Sequence, residues 1–233
     1  RRRARSWKAP VPVICIGNLS MGGTGKTPVA ISICQKLIER GQQPHFLSRG
    51  HGRQTSAIMR VDPTKHYVND VGDEPLLLAK FAPVWVNGNR VTAAKRACAD
   101  GATCIIMDDG FQNPGLYKDY SFLVFDGPYG IGNGRIFPAG PMREHLKDGC
   151  ARADTAVIIG QDLGSIGPTL ALPIAIAEIL PKKLLDLSNR KVAAFAGIGR
   201  PEKFFQTLKE MGADLILQKS FPDHHCFSKT EIE

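Results

Sequence analysis

Short runs of consecutive apolar residues recur along the chain, separated by stretches with apolar positions three and four apart. Strands are expected at 12–16, 45–48, 84–86, 104–107, 122–125, 156–159, 173–177, 192–196 and 215–218, and helices at 27–40, 75–81, 90–100 and 201–211. Runs such as VICI (13–16), CIIM (104–107) and AVII (156–159) do not alternate with polar residues. Such strands are buried on both faces. Strands alternating with helices through short loops give βαβ units and a mainly parallel sheet covered on both sides. In sheets of that kind ligands bind at the carboxyl ends of the strands. KKLLDLSNRK separates an IAIAEI strand from a fresh strand-helix-strand unit, VAAFAGIGRPEKFF…LILQK. The expected organisation is an α/β domain over 1–187 and the start of a second, smaller α/β lobe over 188–233.

The first strand opens onto a glycine-rich segment. VPVICIGNLSMGGTGKTPVAISI (11–33) runs from the apolar strand through Gly22, Gly23 and Gly25 to Lys26 and Thr27 at the head of a helix, which Gly41 stops. This is the layout of a phosphate-cradling loop. Glycines let backbone N–H groups approach phosphate oxygens, and the helix dipole favours the anion. Lys26 is placed to reach the β- and γ-phosphates of a nucleotide and Thr27 to ligate Mg²⁺, so the sheet is expected to be P-loop NTPase-like. The standard spacing G-x-x-x-x-G-K-[ST] puts glycine at position 20, where this chain has Ser20, and the deviant loop of partitioning-type ATPases puts lysine where Met21 stands.

Four further segments lie at strand ends or helix starts. CIIMDDGFQN (104–113) is an apolar strand ending in two acids. Such a carboxylate holds Mg²⁺ directly or through water. Consecutive residues of an extended chain point to opposite faces, so one of Asp108 and Asp109 is expected to touch the metal shell directly; Gln112 can reach back after the turn at Gly110. VGDEPLLLAKF (71–81) places Asp73 before a helix expected to begin near Pro75, where it reads either as an N-cap or as a carboxylate base. SRGHGR (48–53), NGNR (87–90) and GNGRIFPAGPMREH (132–145) bring Arg49, Arg53, Arg90, Arg135, Arg143 and Glu144 to one sheet edge, where guanidinium groups suit phosphate charge. FPDHHCF (221–227) groups Asp223, His224 and His225 without a zinc spacing, which favours a base-orienting histidine over a metal site.

Composition adds three constraints. With 43% hydrophobic and 22% charged residues the chain can bury a core and is not disordered. Its six cysteines include no C-x-x-C pair, which points to buried thiols rather than a disulfide framework. The formal net charge is +8, and Arg1, Arg2, Arg3, Arg5 and Lys8 crowd the first eight residues with no acid among them. Such a basic head reads either as a solvated tail or as a contact for an anionic surface, membrane phospholipid or nucleic acid. No apolar run approaches the roughly 18 residues of a spanning helix.

Taken in order, GNLSMGGTGKTP, LSRGHGR, GDEPLLLA, MDDGFQN, GNGRIFPAGPMRE, AGIGRPEKFF and FPDHH resemble the tetraacyldisaccharide 4'-kinase family of lipid A biosynthesis. The resemblance runs from about Pro12 to Phe227, and that family's loop also lacks the first glycine. It implies transfer of the γ-phosphate of ATP, with Mg²⁺, to the 4'-hydroxyl of a tetraacylated glucosamine disaccharide 1-phosphate to give lipid IVA. It also implies two α/β/α lobes and action at the anionic cytoplasmic face of the bacterial inner membrane, with no nucleic-acid partner. By motif, Asp73 resembles the family's catalytic carboxylate and His224 its partner, with Lys26 and Arg143 beside the transferred phosphate. Gly22, Gly23, Thr24, Gly25, Lys26, Thr27 and Gln112 match the nucleotide side. Thr27, Asp108, Asp109 and Glu144 match the Mg²⁺ side. The family's hydrophobic N-terminal helix and the segment past FPDHH have no counterpart here, so a fragment is expected. The rival reading is a non-catalytic switch ATPase of the partitioning type, which gives no role to Asp73, His224 or the GPMRE stretch.

Overall fold

The structure, a computed structural model, describes residues 6–181, 186–223, 225 and 227–232. It divides the chain into two compact units, Arg1–Glu178 and Ile179–Glu233, so the division comes before KKLLDLSNRK rather than within it.

The first unit contains β1 (Val13–Gly17), α1 (Lys26–Ile38), β2 (Pro44–Ser48), β3 (Met59–Arg60), α2 (Val68–Val71), α3 (Asp73–Leu78), β4 (Val84–Val86), α4 (Arg90–Ala99), β5 (Cys104–Asp108), β6 (Tyr120–Asp126), α5 (Leu146–Cys150), β7 (Thr155–Ile159) and β8 (Ile174–Ala177). One eight-stranded sheet runs in the order β3-β4-β2-β5-β1-β6-β7-β8. Every neighbouring pair is parallel except β3 with β4.

The unbroken apolar runs have the physical cause expected of them. Side chains alternate across each strand, and both faces are covered. Val13, Cys15, Ile105, Met107, Leu123 and Ile158 face one layer with Ala93, Ala94 and Ala97 of α4. Ile16, Phe46, Val84, Ile106, Val124 and Val157 face the other with Ala30 and Cys34 of α1 and Leu78 of α3. Burial pushes the Cys15 thiol up to about 12, and the five described cysteines are free, four of them buried and Cys98 half-buried.

The second unit contains β9 (Lys191–Ala196), α6 (Pro201–Glu210), β10 (Asp214–Ser220) and α7 (Lys229–Ile232). Its two strands pair in parallel around Ala194, Ala196 and Phe205, with Leu208 and Leu215 against them.

Candidate active site

The site begins where β1 ends. Gly17 must be glycine, because a Cβ there would stand 2.3 Å from Cβ of Phe111 in the loop after β5. This close approach brings the phosphate loop against the acidic strand. In the β1–β5 register Ile16 is level with Asp108, so the Asp108 carboxylate lies beside the start of the loop. Gly25 caps α1 in a left-handed conformation (φ 86°) with no side-chain cap, which leaves the first N–H groups of a 13-residue helix open to an anion.

Ser20, the residue at the position of the usual first glycine, is buried, and its backbone is braced from outside the loop. It bridges to Met142, while Met21 N–H donates to Pro141 O and Arg143 N–H donates to Leu19 O, both at 2.7 Å. The GPMRE stretch is thereby laid along the loop, which explains how Arg143 and Glu144, far away in sequence, arrive there.

Asp108 is fully buried at the end of β5. Thr27 Oγ1 donates to its Oδ2 at 2.9 Å, and its Oδ1 is buried with no hydrogen-bond partner among the described residues. Burial, then the negative charge of Glu74, pushes its carboxyl up to about 7, against the pull of the Thr27 hydroxyl and Lys26. A hydroxyl and a carboxylate with an unfilled oxygen are the hard donors Mg²⁺ takes when phosphates and water complete its shell. No group of three His, Cys, Asp or Glu that could hold a metal ion occurs among the described residues.

Asp109 stands apart from its neighbour. Its φ of 49° is unusual for a non-glycine residue. Its carboxylate takes two hydrogen bonds from Arg143, at 3.1 and 3.2 Å, and lies 3.9 Å from Lys26 Nζ. Gln112 links the parts: Nε2 donates to Asn18 O at 2.9 Å and to Glu144 Oε1 at 3.1 Å, and Oε1 accepts from Arg143 at 3.4 Å. Glu144 is ion-paired with Arg152, whose guanidinium lies 4.7 Å over the Phe111 ring. Of the four residues expected on the metal side, Thr27 and Asp108 are hydrogen-bonded together, while Asp109 and Glu144 are engaged by guanidinium groups.

Asp73 is not the N-cap of its helix. It is the first residue of α3, and the cap is Gly72 at φ 92°, with no side-chain hydrogen bond. The side chain at position 73 is exposed, and α3 also carries Glu74, whose charge reaches Asp108. A Cβ on Gly72 would meet His51 O at 3.0 Å, so α3 starts against the loop that follows β2. His224, the expected partner of Asp73, lies outside the described residues. His225 is described: it stacks on Phe221 and meets Glu231 at 3.1 Å, within its own unit.

The strand-end arginines divide by role. Arg53 ties its own loop to Ala57 O and Val86 O. Arg90 is buried at the start of α4, donates to Asn87 O, and has a buried Nε with no hydrogen-bond partner among the described residues; burial beside Arg49 brings it down to about 10. Sequence reasoning singled out neither Asn18, Glu74 nor Arg152. A buried amide next to the glycine loop, an acid beside Asp73 and an arginine eight residues past Glu144 carry no spacing signal of their own.

The family model described as tetraacyldisaccharide-1-P 4'-kinase matches residues 1–233. The chain belongs to this kinase family. The tetraacyldisaccharide 4'-kinase of Rhodospirillum centenum is 48% identical over 239 residues, which cover all of this chain and 71% of that protein. The protein of the same name from Parvibaculum lavamentivorans is 50% identical, over 99% of this chain and 69% of its own length. Among solved structures, the "apo" form of LpxK from Aquifex aeolicus in complex with ATP superposes with a TM-score of 0.78 at 30% identity, covering 95% of this chain and 74% of that one. Membership of the 4'-kinase family sets aside the partitioning-type switch, and the P-loop NTPase-like fold agrees with it.

Proposed function

We propose that the carboxyl edge of the first unit transfers the γ-phosphate of ATP to the 4'-hydroxyl of a tetraacylated glucosamine disaccharide 1-phosphate, giving lipid IVA. The observation that carries this reading is the Thr27–Asp108 pair with its unfilled carboxylate oxygen, set beside Lys26 and Arg143 at the mouth of the glycine loop.

Phosphoryl transfer runs through a loose transition state, so positioning and charge neutralisation supply most of the acceleration. Backbone N–H groups of Gly22, Gly23, Thr24 and Gly25 and the open start of α1 cradle the phosphates. Thr27 and Asp108 are the residues that would hold Mg²⁺, which would supply positive charge to the transferring phosphate. Lys26 and Arg143 share Asp109 in the structure. Phosphate oxygens replace that carboxylate as their partner, so neither cation is stripped bare on binding. Gln112 and Glu144 keep Arg143 in place from behind. A sugar hydroxyl has a very high pKa, so a base helps late, as its oxygen bonds to phosphorus. Asp73 takes that proton, a task for which the motif match names His224 as its partner.

The acceptor's acyl chains lie in a membrane, so the site works at its surface, the cytoplasmic face of the inner membrane. No helix among the described residues is long and apolar enough to cross one. The basic head is the contact, each arginine contributing about 1 kcal/mol at an anionic leaflet. Lys8 contributes less, because it lies 3.7 Å from Asp119 and 5.1 Å from the Tyr117 ring centre.

The deciding experiment incubates the protein with Mg-ATP and the lipid disaccharide in mixed micelles and detects the lipid by mass. A product heavier by one phosphate, at a rate set by the lipid, is expected. ATP consumption indifferent to added lipid would overturn the reading.

A further inference from the structure

Asn18 sits between the end of β1 and the glycine loop, and it is fully buried. Its Nδ2 donates to Thr24 Oγ1 at 3.0 Å, a buried side chain-to-side chain bond across the loop. Its backbone oxygen accepts from Gln112 Nε2 at 2.9 Å. From Gln112 the contacts continue to Arg143, from Arg143 to Asp109, and from Asp109 to Lys26, two residues past Thr24. The chain of polar contacts therefore closes on itself. It joins the loop that receives the phosphates to the side chains that neutralise them, and Asn18 is held at two points, by Thr24 within the loop and by Gln112 from the segment after β5.

Asn18 is a poor choice for stability alone. Its Oδ1 is buried with no hydrogen-bond partner among the described residues. An amide buried with half its capacity unmet costs free energy that an apolar residue of similar size would not. Positions that break the local rule in this way are expected where function constrains the residue. The Thr24 side chain is buried and turned toward Asn18, so Thr24 offers a nucleotide its backbone N–H rather than its hydroxyl.

We propose that Asn18 is a positioning residue for nucleotide binding: it fixes the glycine loop through the Thr24 hydroxyl and couples that shape to Gln112 and Arg143. The proposal rests on the kinase reading above, which assigns the loop to ATP.

The test is calorimetric binding of a non-hydrolysable ATP analogue with Mg²⁺ to wild type, Asn18→Ala, Thr24→Val and the double variant, each with its Tm. Loss of one buried hydrogen bond corresponds to about tenfold in Kd. Asn18→Ala and Thr24→Val are each expected to weaken binding about tenfold, and the double variant by little more than the worse single change, because both act through one bond. In turnover the same variants raise KM for ATP more than they lower kcat. Thr24→Val keeps the shape of the side chain, so it reports even if Asn18→Ala fails to fold. Lowered Tm with unchanged Kd in either variant would make Asn18 a packing residue and overturn the proposal, as would losses that multiply in the double variant. A wild-type protein that binds no analogue would instead overturn the nucleotide reading on which the proposal stands.

Discussion

The two units differ in how much of their structure is committed to packing. In the first, both faces of an eight-stranded sheet are covered, and buried residues from every strand except β3 and β8 fill two separate layers. In the second, three buried residues and two partly buried ones make the core, and Ile216 and Leu217 of β10 remain 63% and 57% exposed. A small unit buries a smaller share of its surface and has less stability in reserve. A deep core lets the first unit carry features that cost stability: a buried carboxylate oxygen and a buried guanidinium nitrogen with no hydrogen-bond partner among the described residues, and Asp109 at positive φ. In the second unit a single lost side chain is a large fraction of the whole. Substitutions in the first unit should therefore separate activity from folding, and substitutions in the second should not.

The largest effect is expected at Asp73. If it shares one proton-accepting task with His224, Asp73→Asn lowers kcat by about 10²–10⁴, and the double variant with His224→Ala loses little more than the worse single change. Since Gly72 rather than Asp73 caps α3, asparagine at this position leaves the helix intact, and near-normal turnover would remove the base from the mechanism.

Next is Lys26→Ala, which removes a principal charge stabiliser and should cost about 10²-fold or more in kcat. Its Tm should stay near wild type, because the ammonium faces Asp109 at 3.9 Å and Lys26, though buried, belongs to neither apolar layer of the core. A collapse in Tm would mean that site and core are not separable even in the first unit.

Phe205→Ala turns the same question on the second unit. Losing a buried phenylalanine costs about 3–5 kcal/mol, on a core this small enough to open the unit. Hydrogen exchange should show β9 and β10 unprotected while β1 and β5 keep their protection. Loss of protection throughout the sheet would mean the two units fold as one.

The smallest effect is a gain. The Asp108 carboxyl is pushed up to about 7 in the fold, so without metal and nucleotide its ionised form is disfavoured there relative to the unfolded chain. The folded state then holds more protons between about pH 4 and 7, and stability falls as pH rises through that window. Asp108→Asn removes this cost. It should raise Tm by a few degrees, about what a kcal/mol or two does for a protein of this size, at pH 8 but not at pH 4, while turnover is lost. Equal Tm values at both pH values would show the carboxylate to be better accommodated than its unmet oxygen implies.

The central strands β1, β2, β5, β6 and β7 were legible because each is a run of apolar residues buried on both faces, a condition that leaves a mark in one dimension; β8, β9 and β10 are largely exposed and showed only as short β-branched apolar runs. The short pieces β3, α2 and α5 were not legible, since elements of two to five residues are too brief to show a period and are fixed by contacts far away in sequence. The same distinction holds in the site. Lys26, Thr27 and Asp108 could be found because a loop and a strand end carry their own spacing. The capping of α3 escaped because Gly72 does it through a backbone angle, which sequence registers only as a glycine. Glu144 and Asp109 were expected beside a metal on charge alone; which guanidinium each would meet depends on the GPMRE stretch lying along the phosphate loop.

One edge of the large sheet has a consequence unrelated to catalysis. An open edge offers a row of free N–H and C=O groups that another chain can extend, the first step of edge-to-edge aggregation. Here the edge is β3, two residues long and running against its neighbour, and Arg60 within it reaches Asp100 at 2.9 Å. So short a strand, carrying a charge, gives an incoming chain almost nothing to pair with. A flat, apolar replacement for Met59–Arg60 would leave the chemistry untouched and be felt first as protein lost from solution.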